Sequence, residues 1–171
     1  MIPNMSTLPG RLGTLTARDV MTRAVIVLTE DESVEDAVAR LKEHHITGAP
    51  VVDGTGKLVG ILSLSDLVTP PGDAPSSQLV TLTHGEDVTA WDLFDRGGPL
   101  DRQMGVERVS QRMSRHVASV SEESSLVEAA RVMCSGHWHR VPVVDGAGSL
   151  CGIISSMDVL AALVNVADEA A

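Results

Sequence analysis

Aromatic side chains are scarce in this chain of 171 residues, which contains one Phe, two Trp and no Tyr. A hydrophobic core must therefore be built from aliphatic residues and from methionine, whose flexible side chain fills irregular gaps. Positive charge is also scarce, because 13 Lys and Arg stand against 23 Asp and Glu and leave a net charge of −10. That balance argues against nucleic-acid binding, which needs a basic surface. Any anionic ligand must meet a local cluster of positive charge.

Long apolar runs and paired cysteines are missing as well. No run approaches the roughly 18 residues of a membrane-spanning helix, and the N-terminus lacks the charged start and apolar core of a signal peptide. The two cysteines, Cys134 and Cys151, have neither metal-binding nor redox spacing. We therefore expect a cytoplasmic protein with reduced thiols and no membrane insertion.

Catalytic sequence patterns are also missing. The sequence has no nucleophile–base set, no metal-ligand spacing and no phosphate-cradling glycine loop of the right length. His137 and His139 are two positions apart on an irregular segment, without the third ligand that a zinc site needs. The sequence therefore predicts a protein that is not an enzyme and has no metal site.

What the chain does contain is one pattern written twice. The Gly, Ile, Ser and Asp of residues 60–66 recur at the same spacing in residues 152–158. The same offset of 92 makes 18 of the 49 positions in 20–68 identical to their partners. Internal repetition fixes the architecture of a chain. Because each copy is too small to bury a core well alone, we expect the two copies to pack against each other.

Both copies predict the same order of elements, so the fold class is α+β, with two repeats of strand, helix, strand, strand and helix packed with pseudo-two-fold symmetry. In the first copy the predicted elements are strand 24–28, a helix capped by Ser33, strand 49–52, turn 53–56, strand 58–62 and helix 63–68. In the second copy they are strand 117–120, a helix capped by Ser125, strand 141–144, turn 145–148, strand 150–154 and a helix from 155 to about 164.

The predicted boundaries leave three segments outside the repeats. The order is an N-terminal tail 1–15, repeat 16–68, a linker or insert 69–107, repeat 108–164 and a C-terminal tail 165–171. The insert contains Val88, Trp91 and Phe94 at a spacing that would give a helical apolar face. It is either a linker that docks these side chains on the module surface or a contact for self-association or a partner, because aromatics are enriched in interface cores.

The most specific repeated feature is a Ser followed three positions later by an Asp, at Ser63 and Asp66 and again at Ser155 and Asp158. The pattern is a capping box, in which a hydroxyl and a carboxylate close the start of a helix. It also suits a nucleotide, because helix N-termini favour phosphate and a carboxylate can accept hydrogen bonds from ribose hydroxyls. A glycine precedes each pair by three positions, where a missing side chain could admit a ligand.

Taken together, these motifs resemble the cystathionine-β-synthase (CBS) domain, arranged in tandem as in a CBS pair or Bateman module. The resemblance covers residues 16–68 and 108–164. In the first copy it rests on Asp19-Val20-Met21-Thr22, Ala49-Pro50-Val51-Val52-Asp53 and residues 60–66, and in the second copy on Met113-Ser114, Val141-Pro142-Val143-Val144-Asp145 and residues 152–158. It implies two sheets with helices outside, and two clefts between the repeats that bind AMP, ADP, ATP, NAD or S-adenosylmethionine. It also implies a homodimer of modules with a regulatory role toward a partner protein, which the sequence does not identify.

The resemblance also implies roles for individual residues. The ribose would be held by Asp66 and Asp158, the phosphate by Ser63 and Ser155, and the adenine would lie against Ala49, Pro50 and Val51 in one copy and Val141 and Pro142 in the other. The alternative is a structural or dimerising module whose clefts are empty or degenerate.

The two copies diverge before the first hairpin strand, where His139-Arg140 replaces Thr47-Gly48. The stretch is similar to that of adenylate-sensing CBS modules, and the planar fork of Arg binds phosphate oxygens in pairs. We therefore predict unequal sites, with phosphate recognition by His139 and Arg140 at this site or at a neighbouring module. Alternatively, they are basic residues at a solvated helix end.

Two further arginines, Arg23 and Arg115, occupy matched positions after the Met-Thr and Met-Ser pairs. They are weaker candidates for phosphate contact.

Overall fold

A computed structural model of the protein describes residues 13–68 and 107–169. The predicted insert, with Trp91 and Phe94, lies outside the described residues except for Glu107, and so does most of the predicted N-terminal tail. In chain order the elements of the described residues are α1 Ala17–Val20, β1 Leu28–Thr29, α2 Val34–Glu43, β2 Gly48–Val52, β3 Leu58–Ser63, α3 Leu64–Val68, α4 Val109–Arg112, β4 Val120–Ser121, α5 Leu126–Gly136, β5 Arg140–Val144, β6 Leu150–Ser155 and α6 Ser156–Glu169.

The strands form two three-stranded sheets of identical topology, in the orders β1-β2-β3 and β4-β5-β6. In each sheet the first pair is parallel and the second is an antiparallel hairpin. The hairpin turns follow the predicted Asp-Gly-x-Gly sequences, and the last glycine of each adopts a left-handed conformation, with φ of 85° at Gly56 and 83° at Gly148. The predicted α+β fold class is confirmed.

The described residues divide into two compact units, which we name by their aspartates. Of the described residues, the Asp66 unit comprises 26–68 and 107–117, and the Asp158 unit comprises 13–25 and 118–169. Each unit therefore combines the sheet of one repeat with the short helix that opens the other repeat. Helix α1 belongs to the unit of β4-β5-β6, and α4 belongs to the unit of β1-β2-β3.

The opening segments are held in place by main-chain hydrogen bonds to the last strand of each sheet. Thr22 and Ile153 exchange two such bonds, of 2.9 and 3.0 Å, in the Asp158 unit, and Ser114 and Ile61 do the same in the Asp66 unit. Because both residues of each pair donate and accept one bond, the opening segment is fixed relative to the last strand of the sheet.

The two glycines of the repeated motif make room for this packing. A Cβ atom at Gly60 would lie 2.5 Å from the sulfur of Met113, and one at Gly152 would lie 2.4 Å from the sulfur of Met21. The interpretation of these glycines as openings for a ligand is therefore wrong, because buried methionines of the opening segments fill both spaces.

The first strand of each repeat is shorter than predicted and begins later. The structure has Leu28–Thr29 in place of 24–28, and Val120–Ser121 in place of 117–120. The reason is a turn before each strand, in which the amide of Val25 donates to the carbonyl of Arg23 and that of Val117 donates to that of Arg115. An amide that closes such a turn cannot also pair with a neighbouring strand.

Both long central helices begin at the predicted caps. The Ser33 hydroxyl accepts from the Asp36 amide at 3.0 Å and donates to the Asp36 carboxylate at 2.7 Å, while the Ser125 hydroxyl accepts from the Glu128 amide at 3.2 Å. The last helix, α6, runs to Glu169, five residues beyond the predicted end and into the predicted C-terminal tail.

As the composition requires, each unit has an aliphatic and methionine core. In the Asp66 unit it includes Leu28, Val34, Leu41, Val51, Leu62, Val109 and Met113, and in the Asp158 unit it includes Ala17, Met21, Ala129, Met133, Val141, Val143 and Ile154.

Candidate functional site

Each unit places its Ser and Asp pair at the junction between the last strand and the helix that follows. In the Asp66 unit, Ser63 ends β3 and Asp66 lies in the first turn of α3. The Asp66 Oδ2 atom accepts from the Ser63 amide at 2.8 Å and from the Ser63 hydroxyl at 2.6 Å. Half-buried Asp66 therefore supplies the carboxylate half of the predicted capping box, in which the N3 side chain accepts from the N-cap amide.

Asp66 has a further partner, which the sequence analysis missed. The hydroxyl of Ser114, in the segment after α4, donates to Asp66 Oδ1 at 2.8 Å. Both oxygens of the carboxylate are therefore engaged by serine hydroxyls. The signal in the sequence was the hydroxyl residue that follows Met21 and Met113 in both repeats, at Thr22 and Ser114.

The Asp158 unit has the same carboxylate contacts and completes the capping box, because the Asp158 amide donates to the Ser155 hydroxyl at 3.3 Å, but it lacks the contact that Ser114 makes. Asp158 Oδ2 accepts from the Ser155 amide at 2.7 Å and from the Ser155 hydroxyl at 2.6 Å. Within the described part of the chain, Asp158 Oδ1 accepts no hydrogen bond, although Thr22 occupies the position that corresponds to Ser114. Since Asp158 is half-buried, this oxygen is an acceptor that a hydroxyl donor of a ligand could satisfy.

His139 and Arg140 lie beside this junction in the same unit. Arg140 is paired with Ser155 across the β5–β6 hairpin, and the amide of Ser156, the first residue of α6, donates to the carbonyl of His139 at 2.9 Å. Both basic side chains are exposed. In the Asp66 unit the corresponding positions hold Thr47 and Gly48, which carry no charge.

The residues predicted to face the adenine are part of the core. Ala49 is 2% exposed, and Val51 and Val141 are fully buried; Pro50 and Pro142 are buried too. The predicted contact of these five residues with an adenine stays a prediction.

The two predicted arginines point back to the helices that precede them. Arg23 donates to the carbonyl of Arg18 at 3.2 Å, and Arg115 donates to that of Ser110 at 3.1 Å. Because the pairing of Thr22 with Ile153 is antiparallel, the chain after Thr22 runs away from Ser155. The described contacts therefore do not bring Arg23 to the Ser and Asp pair of its unit.

Arg23 instead interacts electrostatically with the Cys151 thiol. Burial raises the pKa of Cys151, and the nearby carboxylates of Glu122 and Asp145 raise it further, whereas Arg23 acts in the opposite direction. A thiol whose pKa is raised in this way is poorly reactive at neutral pH.

Residues 13–68 and 107–169 contain neither a candidate membrane span nor a candidate metal site. In that part of the chain, no helix combines the length and apolar character needed to cross a membrane. The same residues contain no group of three or more His, Cys, Asp and Glu side chains placed to hold a metal ion.

The duplicated sheet-and-helix unit, with a Ser and Asp pair at each strand–helix junction, defines a tandem-repeat protein with two matched candidate sites. The family model of the CBS domain matches residues 17–69 and 106–165. The chain belongs to the CBS domain family and is a tandem CBS pair.

Two relatives illustrate the similarity. The chain is 30% identical to uncharacterized protein MJ1426 of Methanocaldococcus jannaschii, over 86% of this chain and 90% of that protein. It is 29% identical to the chloroplastic CBS domain-containing protein CBSX2 of Arabidopsis thaliana, over 98% of this chain and 71% of that protein.

Crystal structures of CBSX2 are similar to the fold of this chain. One matches with a TM-score of 0.69 and 28% identity, over 90% of this chain and 96% of the CBSX2 chain. The other, of CBSX2 in complex with AMP, matches with a TM-score of 0.64 and 28% identity, over 88% of this chain and 97% of the CBSX2 chain.

Proposed function

We propose that this CBS pair is a regulatory module that binds an adenosine-containing ligand and passes the occupancy of that site to a partner protein. The observation that carries the proposal is the open Oδ1 atom of Asp158 in the same unit as the exposed His139 and Arg140. A ribose offers two hydroxyl donors to such a carboxylate, and a phosphate suits a guanidinium and an imidazole. The AMP complex of CBSX2 supports the same class of ligand.

Charge supports placing the phosphate beside Arg140. The whole chain has a net charge of −10, so its field disfavours anions over most of the surface. The junction of β5 and α6 offsets that field locally with two basic side chains, and the corresponding junction of the Asp66 unit does not. We therefore assign the phosphate-containing ligands AMP, ADP, ATP or NAD to the Asp158 unit, with AMP as the first ligand to test; S-adenosylmethionine, which has no phosphate, would be held there through its ribose alone.

The test is calorimetric titration of the full chain with AMP, followed by the other four ligands. Asp158→Ala and Arg140→Ala should each weaken binding by about tenfold or more, because each removes hydrogen bonds to or from a charged group. Arg131→Ala is the matched control, since Arg131 is an exposed arginine on α5 of the same unit and should leave binding unchanged. A folded protein that takes up none of these ligands would favour the alternative, a structural or dimerising module.

Self-association of the module is proposed on a separate observation. Helix α6 exposes Met157, Leu160, Leu163 and Val164, whose exposed fractions run from 49 to 68%. Met157, Leu160 and Val164 have the spacing of one helical face, and exposed apolar patches mark interaction sites. We propose that a second copy of the chain covers this face in a homodimer.

Sedimentation equilibrium tests the dimer directly. Leu160→Glu should give monomers, because a charge placed in an apolar interface is costly. Asn165→Glu, at an exposed polar position of the same helix, should leave the mass unchanged. A monomeric parent protein would contradict the proposal.

A further inference from the structure

The two matched aspartates differ in how many of their acceptor positions the protein already uses. A carboxylate has about four lone-pair positions on its two oxygens. Asp66 accepts three hydrogen bonds, two from Ser63 and one from Ser114. Asp158 accepts two, both from Ser155 on one oxygen, so its other oxygen has room for both hydroxyls of a ribose.

The difference comes from one side chain and not from the backbone around it. Ser114 and Thr22 are held by the same pair of main-chain hydrogen bonds to the last strand of their units, with N–O distances of 2.9 and 3.0 Å in each case. Ser114 is half-buried and donates to Asp66, whereas Thr22 is exposed and makes no bond to Asp158. A β-branched threonine has fewer accessible side-chain rotamers than serine, which is consistent with the different orientation of its hydroxyl.

We propose that Ser114 closes the Asp66 carboxylate to a ribose, so that this CBS pair binds one adenosine-containing ligand per chain, at Asp158. Ser114 is thus a residue that determines which of two duplicated sites is used. A ligand at Asp66 must first displace the hydroxyl of Ser114 from a charge-assisted hydrogen bond, which is stronger than a neutral one. This inference rests on the proposed function of the Asp158 unit.

Titration with AMP of the full chain and of a Ser114→Ala variant tests the inference by stoichiometry. The parent protein should bind one AMP per chain, and Asp158→Ala should weaken that binding by about tenfold or more. Ser114→Ala should bind a second AMP, because the loss of the competing hydroxyl should tighten the Asp66 site by about tenfold or more; this site lacks the basic pair of the Asp158 unit and should stay the weaker of the two. In Ser114→Ala, the second addition of Asp66→Ala should remove only the new site.

The repeat provides a matched control at the position 92 residues earlier. Thr22→Ala removes a hydroxyl that makes no bond to Asp158, so the stoichiometry should stay at one AMP per chain. Ser114→Cys is a second variant of similar size whose thiol is a weak donor, and it should behave like Ser114→Ala. Thermal unfolding of each variant without ligand verifies that it is folded.

The possible results separate the inference from the proposed function. Two equal sites in the parent protein, or one site in both Ser114 variants, would overturn the role of Ser114 and leave the binding function standing. Binding by the Ser114 variants alone would support the role of Ser114 and remove the assignment to Asp158. If neither the parent nor the variants bind AMP or the other adenosyl compounds, both proposals are overturned.

Discussion

The Asp66 unit and the Asp158 unit have the same architecture but not the same chemistry. Strand order, hairpin register, helix caps and the contact of a methionine with a strand glycine recur in both. The side chains around the two aspartates differ. The Ser114 hydroxyl donates a hydrogen bond to Asp66, whereas His139 and Arg140 lie beside Asp158. Backbone hydrogen bonds and close packing tolerate few alternatives, whereas an exposed position can change its side chain without loss of the fold. The comparison teaches that two repeats can keep the same backbone structure while the side chains at their candidate binding sites differ.

The largest effect on stability should come from the glycines that contact the methionines. Gly60→Ala and Gly152→Ala should each lower the free energy of unfolding by about 1–3 kcal/mol, the usual cost of overpacking a core. The new Cβ would press on buried Met113 in one unit and on buried Met21 in the other. Urea denaturation measures the effect.

Gly54→Ala in the first hairpin turn is the control, because nothing lies within 4 Å of a Cβ atom there. A cost at Gly60 or Gly152 no greater than at Gly54 would contradict the contact. Gly60→Ala also sharpens the comparison between units, since its Cβ would lie 3.1 Å from the carbonyl oxygen of Ser114. It should therefore disturb the bond from Ser114 to Asp66, which Gly152→Ala leaves intact.

The helix caps should give the next largest effect, and an unequal one. Ser33→Ala should cost about 1 kcal/mol of stability, the typical value for an N-cap, and Ser125→Ala should cost less. The reason is that the Ser33 hydroxyl makes two hydrogen bonds with Asp36, of 2.7 and 3.0 Å, whereas the Ser125 hydroxyl accepts one of 3.2 Å. Equal losses in thermal unfolding would contradict this difference, and exposed Ser119→Ala provides the baseline.

A smaller effect, of opposite sign, is expected where the two central helices end. His45 and His137 adopt left-handed conformations, with φ of 52° and 54°, which cost a side chain about 1–2 kcal/mol. His45→Gly and His137→Gly should therefore stabilise the protein by about 0.5 kcal/mol after the added flexibility of the unfolded chain is subtracted. His44→Gly should not stabilise, because His44 has a φ of −91°; a gain there would show that glycine acts for another reason.

The smallest effect concerns pH and the two hairpin turns. The hydroxyl of Thr55 donates to Asp53 at 2.7 Å, and this bond, followed by the amide of Thr55, lowers the pKa of Asp53 below its usual range. A carboxyl group whose pKa is lowered on folding stabilises the fold at pH values above the ordinary pKa of that group. This stabilisation is lost as the pH falls through the lowered pKa. The second turn has Ala147 in place of Thr55 and lacks this hydroxyl.

Thr55→Ala should therefore raise the pKa of Asp53 toward its ordinary value, as measured by a carboxyl NMR titration. The loss of stability on acidification should become slightly smaller. Ala147→Thr is the converse substitution and should add a hydroxyl bond to Asp145 in the second turn. An unchanged titration of Asp53 in Thr55→Ala would contradict the assigned cause.

The features that the sequence predicted well depend on residues close together in the chain. Ser33 and Asp36 are three positions apart, as are Ser63 and Asp66, and the turns occupy four residues. The predictions that failed depend on distant contacts. Strand 24–28 looked continuous from its aliphatic side chains, but only Leu28 and Thr29 pair with β2. The glycines looked like openings because the methionines that fill them lie more than 50 residues away. The assignment of ligand contacts to individual residues stays a prediction.

The sequence by itself determined the duplication, the elements of each repeat, their caps and turns, and the acidic character that makes His139-Arg140 distinctive. Only the tertiary structure decided that the opening helix of each repeat packs in the unit of the other repeat's sheet. It also decided that Ser114 donates a hydrogen bond to Asp66, whereas Thr22 makes none to Asp158. The physical reason is the separation along the chain of the residues that interact. Capping and turn geometry are governed by hydrogen bonds within a few residues, whereas the partner of a buried carboxylate is set by which distant segments the folded chain brings together.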